Sequence, residues 1–419
     1  MSHPDNGVDA VLTNGDEIYA VQAKRTARPL ETQHAETEPV HLWWAPVRRN
    51  DAPTRLKADS VTALPAPPSS IDIRATDRER LLILCAIRHP ELGRIDWPLL
   101  ARTAQTPQAL DHWYAGEVTE QSPKADKARR ILRWALNDSD AQDQAEEFLG
   151  RQLAAAADVG AHLTTVLDAD YPANLRMVPD APPFLFYRGH LDISDARSIA
   201  VVGTREATAD GRARAARMAR GLSDAGVVVV SGLARGIDAA AHTSTVDRGR
   251  RTVAVIGAGI ATKIYPPENT PLAERIIDSG GAIVSQFWPT DPPEQWRFPA
   301  RNITMSGFTQ GTVVVEASSS SGAKMQAQAA RRHFRTVFLL HSLTMAQHWA
   351  RTMLNDARAE LVQPQQLDLL EPSPPDRDLP LAVVEVGDVD DVLSRVADAD
   401  AVRAAANLRH ELAYAWPAA

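Results

Sequence analysis

The sequence predicts an α/β protein: a doubly wound, mostly parallel Rossmann-like sheet with a small N-terminal all-helical domain. Three observations predict it. From residue 198 onward, short apolar runs alternate with helical stretches; most of those runs end in small or polar residues suited to tight turns; and residues 72–168 carry apolar residues at helical spacing. Strands this apolar, separated by helices, imply a parallel sheet covered on both faces. Right-handed crossovers then wind it in two directions.

Taken in order, residues 1–70 form an arm or linker, in which VDAVL and EIYAVQA pair as a short hairpin across Asn14-Gly15-Asp16 and Arg25–Ser70 is rich in Pro, Thr and charge. Residues 71–168 form the helical domain, with Thr76 as an N-cap, Glu79 as its capping-box partner, and further helices near 96–105, 124–136 and 140–160. The stretch YPANLRMVPDAPPFLFYRG from Tyr171 is an extended connection. The Rossmann-like domain spans 169–365, with strands at 198–203, 227–232, 252–257, 282–286, 312–317 and 336–340 and helices at 208–225, 235–249, 268–279, 301–309 and 322–333. Residues 366–419 are a linker and one C-terminal helix over 388–414, with no winged-helix pattern.

Composition narrows the class. The lone cysteine, Cys85, excludes an intrachain disulfide and a zinc–cysteine cluster, reads as a buried small hydrophobe, and fits a cytoplasmic protein. No signal peptide opens the chain and no apolar run spans a bilayer. The net charge is −8, yet residues 197–335 hold 18 Lys and Arg against 11 Asp and Glu, while the remainder holds 27 against 42. Local charge, not the total, sets attraction for phosphate.

Ligands of doubly wound sheets bind beyond the C-terminal ends of the strands. The first such end reads Gly203-Thr204-Arg205: a glycine for a tight turn, a hydroxyl and free amides for an anion, and a forked cation. The second reads Ser231-Gly232-Leu233-Ala234-Arg235-Gly236-Ile237-Asp238, followed by His242, which caps or packs. The third ends in Gly257-Ala258-Gly259 and continues to Lys263, placed for a phosphate, and Tyr265, which stacks a base or, as the default reading, sits in the core. Beyond them lie Phe298-Pro299-Ala300-Arg301-Asn302 and Glu316, followed by Ser318–Ser321, Gly322 and Lys324.

In their joint order, GTRxxxxxG, SGLARGID, AH, GxGxxxxxYPPEN, FPARN and VVVEASxxSG resemble the DprA/Smf family over roughly residues 170–362. The Asp168-x-x-Tyr171-Pro172-x-x-Leu175 stretch resembles the end of that family's helical domain. The resemblance implies a protein that is not an enzyme and needs no cofactor or metal. It would bind and protect single-stranded DNA, load a RecA-type recombinase in DNA uptake or natural transformation, and act as a homodimer away from membranes. By the same resemblance Arg205 and Lys263 are phosphate-binding positions, Ser231, Gly232, Gly236 and Asp238 line the pocket turn, and Arg301 and Asn302 form the Phe-Pro-x-Arg-Asn turn.

The chain departs from the family's pattern at several points: Gln286 replaces an acidic residue, Ile303 an arginine, and His341-Ser342 a Pro-Gly turn, while Ala323–Ala327 lacks the usual Thr-Ala pair. A second reading is a nucleotide-ligand sensor of the same Rossmann-like superfamily, as in anti-phage defence. In a third, hydrolytic reading Glu316 would orient a ribose.

Overall fold

The computed structural model describes residues 10–14, 17–21, 75–362, 383–397, 401, 402 and 404. The chain forms two units, residues 1–71 and 72–419. In the first, Ala10–Asn14 pairs antiparallel with Glu17–Val21, Asn14 opposite Glu17, as the turn signal predicts. The linker expected over Arg25–Ser70 lies outside the described residues.

The second unit begins with five helices: α1 (Ala75–Ala86), α2 (Trp97–Thr103), α3 (Pro107–Tyr114), α4 (Pro123–Ala135) and α5 (Ser139–Asp158). Helix α1 starts at Ala75, so Thr76 lies inside it rather than capping it. Side chains cap the next four: Asp96, Thr106, Ser122 and Asp138 each accept a hydrogen bond from the amide three residues on. Proline in the first turn of α2, α3 and α4 occupies positions where its missing N–H costs nothing. Helix α3 was not expected from apolar spacing, although Thr106-Pro107 carries its start signal. Between α1 and α2, Arg88-His89 and Gly93-Arg94 form a two-residue hairpin.

The sheet strands are β1 (His162–Thr165), β2 (Phe184–Gly189), β3 (Ser198–Val202), β4 (Val228–Ser231), β5 (Thr252–Val255), β6 (Ala282–Ser285), β7 (Gly311–Val314), β8 (Thr336–Leu340) and β9 (Val383–Val386). Their order across the sheet is β9-β8-β7-β3-β4-β5-β6-β2-β1. The seven strands from β9 to β6 run parallel, and β2 and β1 add an antiparallel edge. All residues of β3 to β7 are buried, as a sheet covered on both faces requires. The doubly wound, mostly parallel architecture is as the sequence predicts.

The edges differ from expectation. Strand β1 lies in the stretch read as helical, β2 in the stretch read as a connection, and β9 just before the expected last helix. The single helix expected over 388–414 is not found: the helix there covers only Val389–Leu393 and is capped at Ser394, residues 394–397 are non-helical, and most of the rest lies outside the described residues. Crossover helices are α6 (Ala209–Asp224), α7 (Ile237–Val246), α8 (Thr270–Asp278), α9 (Arg297–Phe308) and α10 (Gly322–Arg332), followed by α11 (His341–Ala346) and α12 (His348–Val362).

The helical segment packs on the antiparallel edge of the sheet. Trp288, just beyond β6, has its ring 4.6 Å from Phe184, 5.2 Å from Phe148 and 6.0 Å from Trp97. Gln152 of α5 exchanges hydrogen bonds with Thr290, and Arg78 of α1 pairs with the buried Asp168 at 2.6 Å. Cys85 is buried, as expected.

Candidate nucleic-acid interface

The chain leaves β3 in one crossover direction and returns to β7 beside it, so the winding reverses between these two strands. Ligand crevices of such sheets open at this reversal. Here Glu316 fills it. Its carbonyl accepts the Thr204 N–H at 2.7 Å, and its carboxylate accepts the Thr208 hydroxyl at 2.8 Å at the start of α6. Gly211 is required beneath it, because a Cβ there would lie 1.7 Å from the carboxylate. Glu316 is thus occupied with holding two loops and a helix start.

The open cleft is displaced over the ends of β3, β4 and β5. It is lined by Arg205, Gly232, Ala234, Arg235, Gly257, Tyr265, Pro266, Phe298 and Arg301. Its floor is the Arg301 guanidinium, buried and donating to the Val255 carbonyl at 2.8 Å. Gly232 makes room for it, since a Cβ on Gly232 would lie 1.6 Å from an Arg301 nitrogen. Asp238 at the start of α7 supplies the counter-charge and accepts the Gly232 N–H at 3.2 Å. Burial pushes the Asp238 carboxyl up, opposed by Arg301 and by the amides of Ala234 and Gly232. Burial also pulls Arg301 down, opposed by Asp238. A guanidinium starts so high that Arg301 stays charged.

The rim is exposed. The Arg205 guanidinium sits over the Phe298 ring, 5.0 Å from its centroid, and the Tyr265 ring lies 5.9 Å from the same centroid. Tyr265 is 50% exposed, so of its two readings the core one is set aside: its loop carries it outward beyond β5. Lys263 is exposed nearby in sequence but does not line the cleft, and its side chain makes no hydrogen bond or ion pair among the described residues. Arg235 reaches the rim, but its charge is paired with Glu268.

The remaining expected residues are framework rather than lining. The Ser231 hydroxyl is buried and donates to the Val201 carbonyl at 2.7 Å. Gly203 and Gly236 permit close backbone approach, Gly236 at φ +76° with the Thr204 carbonyl where a Cβ would go. Thr204 bonds through its backbone to Glu316 and Ile237. The buried Asn302 amide donates to the Gly322 carbonyl at 3.1 Å, tying α9 to α10. His242 packs: it is fully buried against Thr252 at 2.9 Å, and burial pulls its pKa down to about 3, so it is neutral at neutral pH. The sequence places Phe298 only within the turn before Arg301 and gives Trp296, two residues earlier, no role, although aromatic residues between cations in a strand-end loop are a readable signal.

A roomier cavity of about 350 Å³ opens at the opposite, N-terminal ends of the strands, lined in part by Tyr171, Asn174, Arg176, Asp192, Asp195 and Phe308. With Asp170, three carboxylates face one arginine there, a poor setting for phosphate.

These features define a strand-end, arginine-floored cleft on a doubly wound sheet. Residues 162–371 match the family model described as DNA recombination-mediator protein A. The DNA processing protein DprA of Streptococcus pneumoniae is 37% identical over 42% of this chain and 61% of its own length. Protein Smf of Synechocystis is 40% identical over 41% of this chain and 44% of its own length, and DprA of Bacillus subtilis is 31% identical over 56% and 79%. The chain therefore spans less than two thirds of the first two relatives. The X-ray structure of the Streptococcus pneumoniae protein superposes with a TM-score of 0.52 at 25% identity, covering 78% of this chain and 99% of that one. The chain belongs to the DprA/Smf family of DNA-processing proteins. Among the described residues no helix is long and apolar enough to cross a membrane.

Proposed function

We propose that this protein binds single-stranded DNA in the strand-end cleft, in the cytoplasm and without catalysing a reaction on it. The observation that carries the reading is the rim: Arg205 over Phe298 beside a half-exposed Tyr265, above a buried guanidinium. Exposed aromatic rings accept any base face, and cations without acidic partners accept phosphates. Arg205 and the Arg301 floor supply the charge in the cleft, and Lys263 adds to it from beyond the cleft; Gly203, Thr204, Ser231, Gly232, Gly236, Asp238 and Asn302 hold the geometry; Arg235 contributes from its pair with Glu268. A closed duplex offers no such bases, so the strand must be single. Handing that strand to a RecA-type recombinase, as a homodimer, is the role that family membership suggests.

Fluorescence anisotropy with labelled oligo(dT), titrated at several salt concentrations, tests this. Wild type should bind with strong salt dependence. The Arg205→Ala/Lys263→Ala double variant should bind about tenfold or more weakly, with a salt slope shallower by about 1.4 for two lost phosphate contacts. Absence of binding by wild type at low salt would overturn the proposal, and the cleft would then be screened with nucleotides.

A further inference from the structure

The hairpin between α1 and α2 places like charges face to face. Arg88 and Arg94 are directly opposite in its antiparallel register, and both are exposed. Like charges in that position destabilise a strand pair unless something neutralises them. Arg88 has no acidic partner among the described residues. Arg94 lies over two indoles instead, 5.1 Å from the centroid of Trp97 and 5.9 Å from that of Trp296. Burial and the neighbouring cations Arg88 and Arg297 pull the Arg94 guanidinium below its ordinary value, and Asp291 opposes them.

Trp296 is the second half of the feature. It is 48% exposed, unusual for the largest apolar side chain, yet it is fixed in place. Its ring nitrogen donates to Glu294, the buried Arg297 lies 4.9 Å from its centroid, and Phe287 meets it edge-on at 6.0 Å. Arg297 is itself held by Asp291 and by the Pro292 carbonyl, so its charge is answered from within the protein. What remains without an ion pair among the described residues is the arginine pair on the hairpin, beside a fixed, half-exposed indole. Trp296 itself does not line the cleft, but it stands two residues before Phe298, which does.

We propose that Arg88, Arg94 and Trp296 form a second nucleotide station on the helical segment, taking one unit of the same strand beyond the cleft. Trp296 stacks a base, and the opposed arginines hold its phosphate. An aromatic face beside two cations is the chemistry of a single-stranded nucleic acid. This rests on the cleft reading and extends it: the DNA path runs off the sheet and onto the helical segment.

The test compares oligo(dT) of about 4 and about 20 nucleotides, lengths that bracket a one-site and a multi-site footprint. Wild type should bind the longer strand more tightly. Trp296→Ala should lose about tenfold on the longer strand and little on the shorter one, as loss of one stacked base predicts. Trp296→Phe, which keeps a stacking face, should recover most of that loss. Arg88→Ala, which relieves the opposed charges at an exposed position, should not lower the thermal unfolding temperature and should make the salt slope shallower by about 0.7 on the longer strand only. If wild type binds both lengths and all three variants match it, the second station is wrong while the cleft stands. If wild type binds both lengths equally, the station is likewise wrong. If wild type binds neither length, both readings fall together.

Discussion

The two ends of the parallel strands use similar residues to opposite effect. At the N-terminal ends the cations are answered locally. Arg251 pairs with the buried Asp195 at 2.6 Å and donates to the His190 carbonyl, Arg335 donates to the Asn174 carbonyl, and Arg176 donates to the Val166 carbonyl. His333 bridges Asp180 and the Ser306 hydroxyl. At the C-terminal ends, glycines at 203, 232, 236 and 257 remove side chains, and Arg205 and Lys263 stand without acidic partners among the described residues. A local excess of basic residues is therefore no measure of phosphate affinity. What counts is which cations the fold leaves unanswered.

Substitutions at the two ends break or sharpen this contrast. The largest effect is expected at the cleft floor. Arg301→Ala removes the one cation that, among the described residues, faces the buried Asp238, and breaking a buried pair from one side costs about 3–5 kcal/mol. Urea unfolding should show that loss, and DNA affinity should fall with it. Arg251→Ala at the other end also strands a buried carboxylate, Asp195, which burial pushes up and Arg251 holds down. It should cost about 2–4 kcal/mol while leaving oligo(dT) affinity and its salt slope unchanged. A change in slope there would contradict the division of labour between the ends.

Acid supplies a third test. The His242 pKa in the folded protein, about 3, lies below its unfolded value of about 6.5, so the unfolded chain binds the extra proton between those values. Stability from this group is fully present above about pH 6.5 and falls as pH drops toward 3, by up to about 1.4 kcal/mol per pH unit. A His242→Gln variant should show a flatter decline in urea midpoint between pH 6.5 and 4.5, with salt-dependent DNA binding retained at pH 7.5. The smallest effect is expected from Arg235→Ala. Its guanidinium is exposed and already paired with Glu268, so affinity should drop less than about threefold, well short of Arg205→Ala.

Much of this was legible beforehand. The runs SIAVV, VVVS, TVAV and AIVS are buried on both faces, which is why their apolar content alone marked them as central strands. Strands β1 and β9 escaped because edge strands need only partial burial, and HLTT reads as polar; β2 lies inside the sheet, but the prolines that precede FLFYRG read as a connection. At the site, glycine-rich turns announced backbone crowding, and Arg205, Gly232, Arg235 and Arg301 do share a cleft. Spacing could not show that Asn302, Ser231 and Asp238 are turned inward, nor that Tyr265 is turned outward, because those orientations depend on helices arriving from distant segments. Lys263, expected to meet a phosphate, is exposed, but the cleft itself ends short of it.

The aromatic contacts around Trp288 carry a practical consequence for dissecting the chain. Phe148 and Trp97 come from the helical segment, Phe184 from the edge of the sheet, and β1 is the strand that covers that edge. A fragment cut after residue 168 would retain Trp288 and Phe184 with one side of each laid open to water, and β2 would present an unpaired edge. Such a fragment would tend to stick to its own copies, so activity lost on truncation would report aggregation before it reported anything about DNA.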